Sequence, residues 1–74
     1  MSGFKSGFKV VATRYTSPET GLKVRIEYIK KYKTENGARQ HCLNNYTRRT
    51  GTNVFEKWDG LDQIIAEVRL DFTV

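Results

Sequence analysis

From Ile64 to the C-terminus the chain alternates without a break. Ile64, Ala66, Val68, Leu70, Phe72 and Val74 are apolar, with Ile65, Glu67, Arg69, Asp71 and Thr73 between them. A two-residue period marks a strand with one face buried, so a long C-terminal strand is expected. Leu61, Ile64, Ile65 and Val68 also fit helical spacing behind an Asp59 cap. A short helix over Leu61–Ala66, followed by a strand from Val68, is therefore the competing pattern.

The first half repeats the alternation twice. Phe8, Val10 and Ala12 alternate with Lys9, Val11 and Thr13 in a strand over Phe8–Tyr15. Leu22, Val24, Ile26 and Tyr28 alternate with Lys23, Arg25 and Glu27 in a second strand reaching about Tyr32. Between them, Ser17-Pro18-Glu19-Thr20-Gly21 is a turn: proline sets the first corner and glycine accepts the positive φ that follows. The pair Tyr28-Ile29 breaks the rhythm and marks a bulge or a change of face. Asn53–Trp58 reads as a further strand, and Asp59-Gly60 is a hairpin dipeptide.

Only the middle of the chain has helical character. Thr34 can cap a helix over Thr34–Gly51, with Glu35 in the first turn, Arg48 and Arg49 in the last, and Gly51 past its end. The dipeptide Asn36-Gly37 also permits a start at Asn36. Ala38, Cys42 and Tyr46 form one stripe, widened by Leu43, and Gln40, His41, Asn44, Thr47 and Arg48 fall opposite. These elements sum to an α+β fold of hairpin, helix and hairpin (ββαββ), an antiparallel sheet with one helix on one face. The other face stays uncovered, with Val11, Tyr15, Ile29, Phe55 and Ile65 as candidates to occupy it. A patch of that kind usually marks an interface.

Seventy-four residues allow a single small core. Residues 8–74 form that domain, with 1–7 as a flexible N-terminal arm. The arm opens a tandem repeat, Ser2-Gly3-Phe4-Lys5 then Ser6-Gly7-Phe8-Lys9. Phe–Lys pairs on a mobile arm suit base stacking and phosphate contact, whereas Phe8 as a strand residue suits the core.

Charge adds what patterning cannot. Thirteen Lys/Arg against eight Asp/Glu give +5, and eleven of the basic residues fall within 1–50, where only three acids stand. This polarity favours a polyanionic partner. One cysteine excludes an internal disulfide, and one adjacent histidine gives no metal cage. No cofactor or metal site is expected. The lone cysteine points to a reducing, cytoplasmic setting, and no apolar run is long enough for a membrane.

His41 and Cys42 lack the partners that acid–base or nucleophilic catalysis needs, so no enzymatic activity is expected. The expectation is a nucleic-acid-binding protein, DNA or RNA. Lys23, Arg25, Lys30, Lys31, Lys33, Arg48 and Arg49 would meet phosphates, with Tyr32, Gln40 and Asn44 near bases. The alternative is a compact protein-binding module, a regulator or inhibitor of a larger protein, acting through the sheet face or an edge. An acidic protein surface, or a second copy in a homodimer, would then be the partner.

Overall fold

The alternations in the first half become two antiparallel strands, and the bulge between them decides which residues reach the core. The computed structural model describes residues 5–16 and 22–73. The Ser17–Gly21 turn and Val74 lie outside them, as do residues 1–4 of the segment read as an arm. In chain order the elements are β1 (Lys5–Thr16), β2 (Lys23–Tyr32), α1 (Glu35–Asn45), β3 (Arg48–Gly51), β4 (Val54–Asp59) and β5 (Asp62–Thr73). The fold is α+β, one five-stranded sheet in the order β2-β1-β5-β4-β3 with every pairing antiparallel.

The central pair is β1 and β5, in unbroken register from Lys5↔Thr73 to Tyr15↔Gln63. Part of the stretch read as an arm, Lys5–Gly7, thus belongs to a strand. Directly opposed residues share a face, so Phe8, Val10 and Ala12 stand with Leu70, Val68 and Ala66. The β1–β2 register slips by one residue opposite Ala12/Thr13: Tyr28 pairs with Ala12, and Ile26 with Thr13. Glu27 is the extra residue. The slip puts Tyr28 on the helix side and Val24 and Ile26 on the other, although the sequence places all three together. Gly7 lets β2 close on β1 beyond the slip, since a Cβ there would meet the Tyr32 carbonyl at 2.9 Å.

The helix begins as the sequence predicts and ends early. Thr34 is the N-cap, its hydroxyl accepting from the Gly37 amide at 3.0 Å. Tyr46 is already extended, its amide donating to the Cys42 carbonyl at 2.8 Å. Arg48–Gly51 is a strand rather than a last turn, which is the fifth strand absent from the sequence-based layout. Asn44-Asn45 compete with the helix through their side chains, and Asn45 does so directly, its amide donating to the His41 carbonyl at 2.7 Å. The following Tyr-Thr-Arg-Arg-Thr suits a pleated edge. Asp62–Ala66 is strand, so the helical alternative there is not realised. The hairpin turns through Gly60, at φ 62°, and Leu61, which fits a two-residue loop with glycine first.

The core is a single cluster under the helix: Val10, Ala12, Ala38, Cys42, Tyr46, Phe55, Ile64, Ala66 and Val68, flanked by Phe8, Tyr28 and Tyr32. The stripe Ala38, Cys42, Tyr46 faces the sheet as expected, while Leu43 does not and is half exposed. Phe55 belongs to this cluster rather than to the open face. It pairs with Ala66, and Ala66 with Ala12, so small residues beside it give the ring room. Eleven helical residues span about 16 Å, and the twelve-residue strands β1 and β5 about 40 Å. The helix therefore covers its own face only in part, and no described element lies over the opposite face.

Candidate functional site

Beyond the helix C-terminus, the helix-side face ends in a charged hub. Arg14 reaches Glu27 at 2.6 Å, Asp62 at 2.7 Å and Asp59 at 3.0 Å. Its carboxylate partners, Glu27 first and then Asp62 and Asp59, push the guanidinium pKa above its ordinary value. A depression of about 220 Å³ lies here, lined by Arg14, Glu27, Tyr28, Lys57, Trp58, Asp59 and Ile64. Arg14 and the three carboxylates are committed to one another, and Lys57 lies over the Tyr46 ring, so the hub joins β1, β2, β4 and β5 and anchors the bulge residue Glu27.

Nearer the helix sits an aromatic cluster. The Tyr28 hydroxyl is hydrogen-bonded to His41 Nε2 at 3.0 Å and to the Tyr46 hydroxyl at 2.8 Å. The His41 ring meets Tyr28 edge-on and Tyr32 at a tilt, with centroids 5.9 and 5.6 Å away. His41 thus turns toward β2, not toward the outer polar face where helical projection puts it. Burial, then Lys30 and Lys57, lower its pKa. Burial also raises the Tyr28 and Tyr46 hydroxyls. Burial pushes the Cys42 thiol up to about 11, as suits an inert core residue. With both ring nitrogens beside protein groups, Tyr28 and Asn45, His41 serves here to fasten the helix to β2. Among the described residues no three His, Cys, Asp or Glu converge as a metal would need.

The residues expected to bind nucleic acid occupy several surfaces. Lys23, Arg25 and Lys30 project from β2 on the helix side, where Lys30 Nζ lies 5.7 Å from the Tyr32 ring centre. Tyr32 itself is half-buried against the core. Lys31 projects on the open side, 3.8 Å from Asp71, and Lys33 follows the strand, exposed. Gln40 and Asn44 are exposed on the helix. Arg48 stands on the open side of β3, 4.0 Å from Glu56. Arg49 donates to the Gly51 and Thr52 carbonyls at 3.0 and 2.8 Å and lies over the Phe55 ring. β2 and β3 are opposite edges of the sheet, roughly 19 Å apart at the usual strand spacing. Lys23 with Arg25, and Lys30 with Tyr32, are brought together. The β2 and β3 groups are not.

The uncovered face is the surface the sequence only partly exposed. Register sets Ile29, Val11 and Glu67 in one row, Ile26, Thr13 and Ile65 in the next, then Val24, Tyr15, Gln63 and Trp58. Val11 is buried there, outside the main cluster, while Val24, Ile26, Ile29 and Trp58 are 54, 60, 51 and 59 % exposed. Val11, Tyr15, Ile29 and Ile65 lie on this face as expected. Val24, Ile26 and Trp58 were missed: the bulge hides the first two from simple alternation, and Trp58 needs the β4 register. Past this apolar half, Lys31, Lys9 and Arg69 line up across three strands. Lys31 is paired to Asp71, and Arg69 to Glu67 at 2.7 Å.

No family model, curated protein or solved structure matches this chain. Among the described residues no helix is long and apolar enough to cross a membrane.

Proposed function

We propose that this chain is a non-enzymatic protein-binding module whose contact surface is the uncovered sheet face and the adjoining β2 edge. One observation carries the reading: Val24, Ile26, Ile29 and Trp58 share the face without a helix, each more than half in water. Exposed patches of large apolar residues rimmed by charge are features of interaction surfaces. Here Tyr15 and Ile65 bridge from β2 toward Trp58, and the row Lys31, Lys9 and Arg69 supplies the rim. A phosphate-tracking surface has less to stand on, since the cations assigned to it divide between two edges and two faces, and two of them, Lys31 and Arg48, are paired to acids.

Affinity capture with the tagged protein, before and after nuclease treatment and at high salt, tests this reading. A defined protein that survives both treatments is expected to be lost with Ile26→Ser plus Trp58→Ser and kept with Gln40→Ala plus Asn44→Ala. Retention of nucleic-acid-dependent partners alone, released steeply by salt, would overturn it.

A further inference from the structure

We infer that the β2 edge takes up an extended acidic segment of the partner protein as an added strand. The inference rests on the sheet-face reading and names the chemistry of its partner. β2 is the outermost strand, ten residues long, and no described strand lies beyond it. The other edge, β3, has four residues, and its Arg49 turns back onto the Gly51 and Thr52 carbonyls. A long unpaired edge offers a row of main-chain donors and acceptors to an incoming chain.

The side chains of β2 specify what that chain carries. Lys23, Arg25 and Lys30 project on the helix side with Tyr28 and Tyr32 turned in against the core, and Val24, Ile26 and Ile29 project on the uncovered side with Lys31 at the far end. An added strand follows the same pleat, so one of its sides would meet cations and the other branched aliphatic groups. β2 holds Lys23, Arg25, Lys30 and Lys31 against a single acid, Glu27, and Arg14 already holds Glu27 at 2.6 Å. Alternating acidic and apolar residues answer this pattern, because opposite charges directly across a pair stabilise and like charges oppose.

Two other occupants fit less well. A second copy paired through β2 would set Lys and Arg against Lys and Arg. A single-stranded nucleic acid needs aromatic platforms for its bases; at the β2 edge the uncovered side presents Val24, Ile26 and Ile29, and the exposed Trp58 stands three strands away on β4. The bulge at Glu27 divides the edge into Lys23–Ile26 and Ile29–Tyr32, which limits indiscriminate pairing along its length.

The test uses a fluorescent peptide of alternating glutamate and valine, about as long as β2, read by fluorescence anisotropy against the 74-residue chain. Its comparators are the same residues arranged as a glutamate block and a valine block, the alternating peptide N-methylated at every second amide, and a single-stranded oligonucleotide of equal charge. The alternating peptide is expected to bind at least about tenfold more tightly than the block peptide, and N-methylation is expected to abolish that margin. Arg25→Glu with Lys30→Glu should weaken binding, and Arg48→Glu should not, with an unchanged melting temperature confirming the fold of each. Equal affinity for both peptides, indifference to N-methylation, tighter binding of the oligonucleotide, or β2-mediated self-association would each overturn the inference. If the peptide fails while the Ile26 and Trp58 substitutions still release a captured protein, the edge inference falls and the sheet-face reading stands.

Discussion

The two faces of this sheet draw on the same strands and put apolar side chains to different ends. Under the helix, small residues stand where it lies closest, Ala12 and Ala66 on the sheet and Ala38 and Cys42 on the helix, all with no exposed surface, and the branched Val10, Ile64 and Val68 are buried beside them. Small groups let the helix backbone approach, and Phe55 fills the space toward β4. On the opposite face Val24, Ile26 and Ile29 are branched, project from an edge strand and meet water. Fully burying such a side chain is worth roughly 1.5–3 kcal/mol, and with each more than half exposed only part of that free energy is gained on folding. The remainder is available to association. The covered face accounts for the fold, and the uncovered one for the proposed contact.

Phe55→Ala should separate the two faces most sharply. Removing a buried phenylalanine costs about 3–5 kcal/mol, comparable to the whole stability of a domain this small, so the variant is expected to be largely unfolded by circular dichroism. Ala66→Leu forces side-chain volume between helix and sheet and should lower stability by about 1–3 kcal/mol in urea titration. Thr34→Ala removes the N-cap acceptor and should cost about 1 kcal/mol by the same measurement.

His41 contributes a pH dependence of known sign. Its folded pKa lies below the ordinary 6.5 through burial and the charges of Lys30 and Lys57. The unfolded chain therefore binds a proton the folded chain resists, and stability falls as pH drops below 6.5 toward the folded value. Urea midpoints between pH 7 and 5 should decline in the native protein, and His41→Gln should flatten the decline. The smallest effect is expected on the uncovered face. Ile26→Ser and Trp58→Ser should each leave stability within roughly 0.5 kcal/mol. A large loss in either would mean that this face supports the fold.

Much of this division is legible in the residue order. Period-two runs locate β1, β2 and β5, the Asn53–Trp58 run before Asp59-Gly60 locates β4, Thr34 marks the helix start, and Ala38, Cys42 and Tyr46 mark its buried stripe. What escapes is set by contacts between distant residues. The helix stops at Asn45 because Arg48–Gly51 pairs with β4, a tertiary gain that outweighs the apparent Arg48–Arg49–Gly51 C-terminal signal. His41 faces inward because Tyr28 offers a hydroxyl at 3.0 Å, which helical projection alone does not contain. The candidate surface was legible in composition and not in address. The Tyr28-Ile29 pair signals an irregularity, but only the β1 register shows that Glu27 is the extra residue and that Val24 and Ile26 therefore turn away from the helix.

Backbone amide hydrogen exchange on the protein bound to its captured partner tests the central claim most directly. Protection should increase along β2, from Lys23 to Tyr32, and at Tyr15, Trp58 and Ile65 on the uncovered face, with α1 unchanged. New protection confined to α1 around Gln40–Asn44 and to Arg48–Arg49, with β2 exchanging as in the free protein, would contradict it.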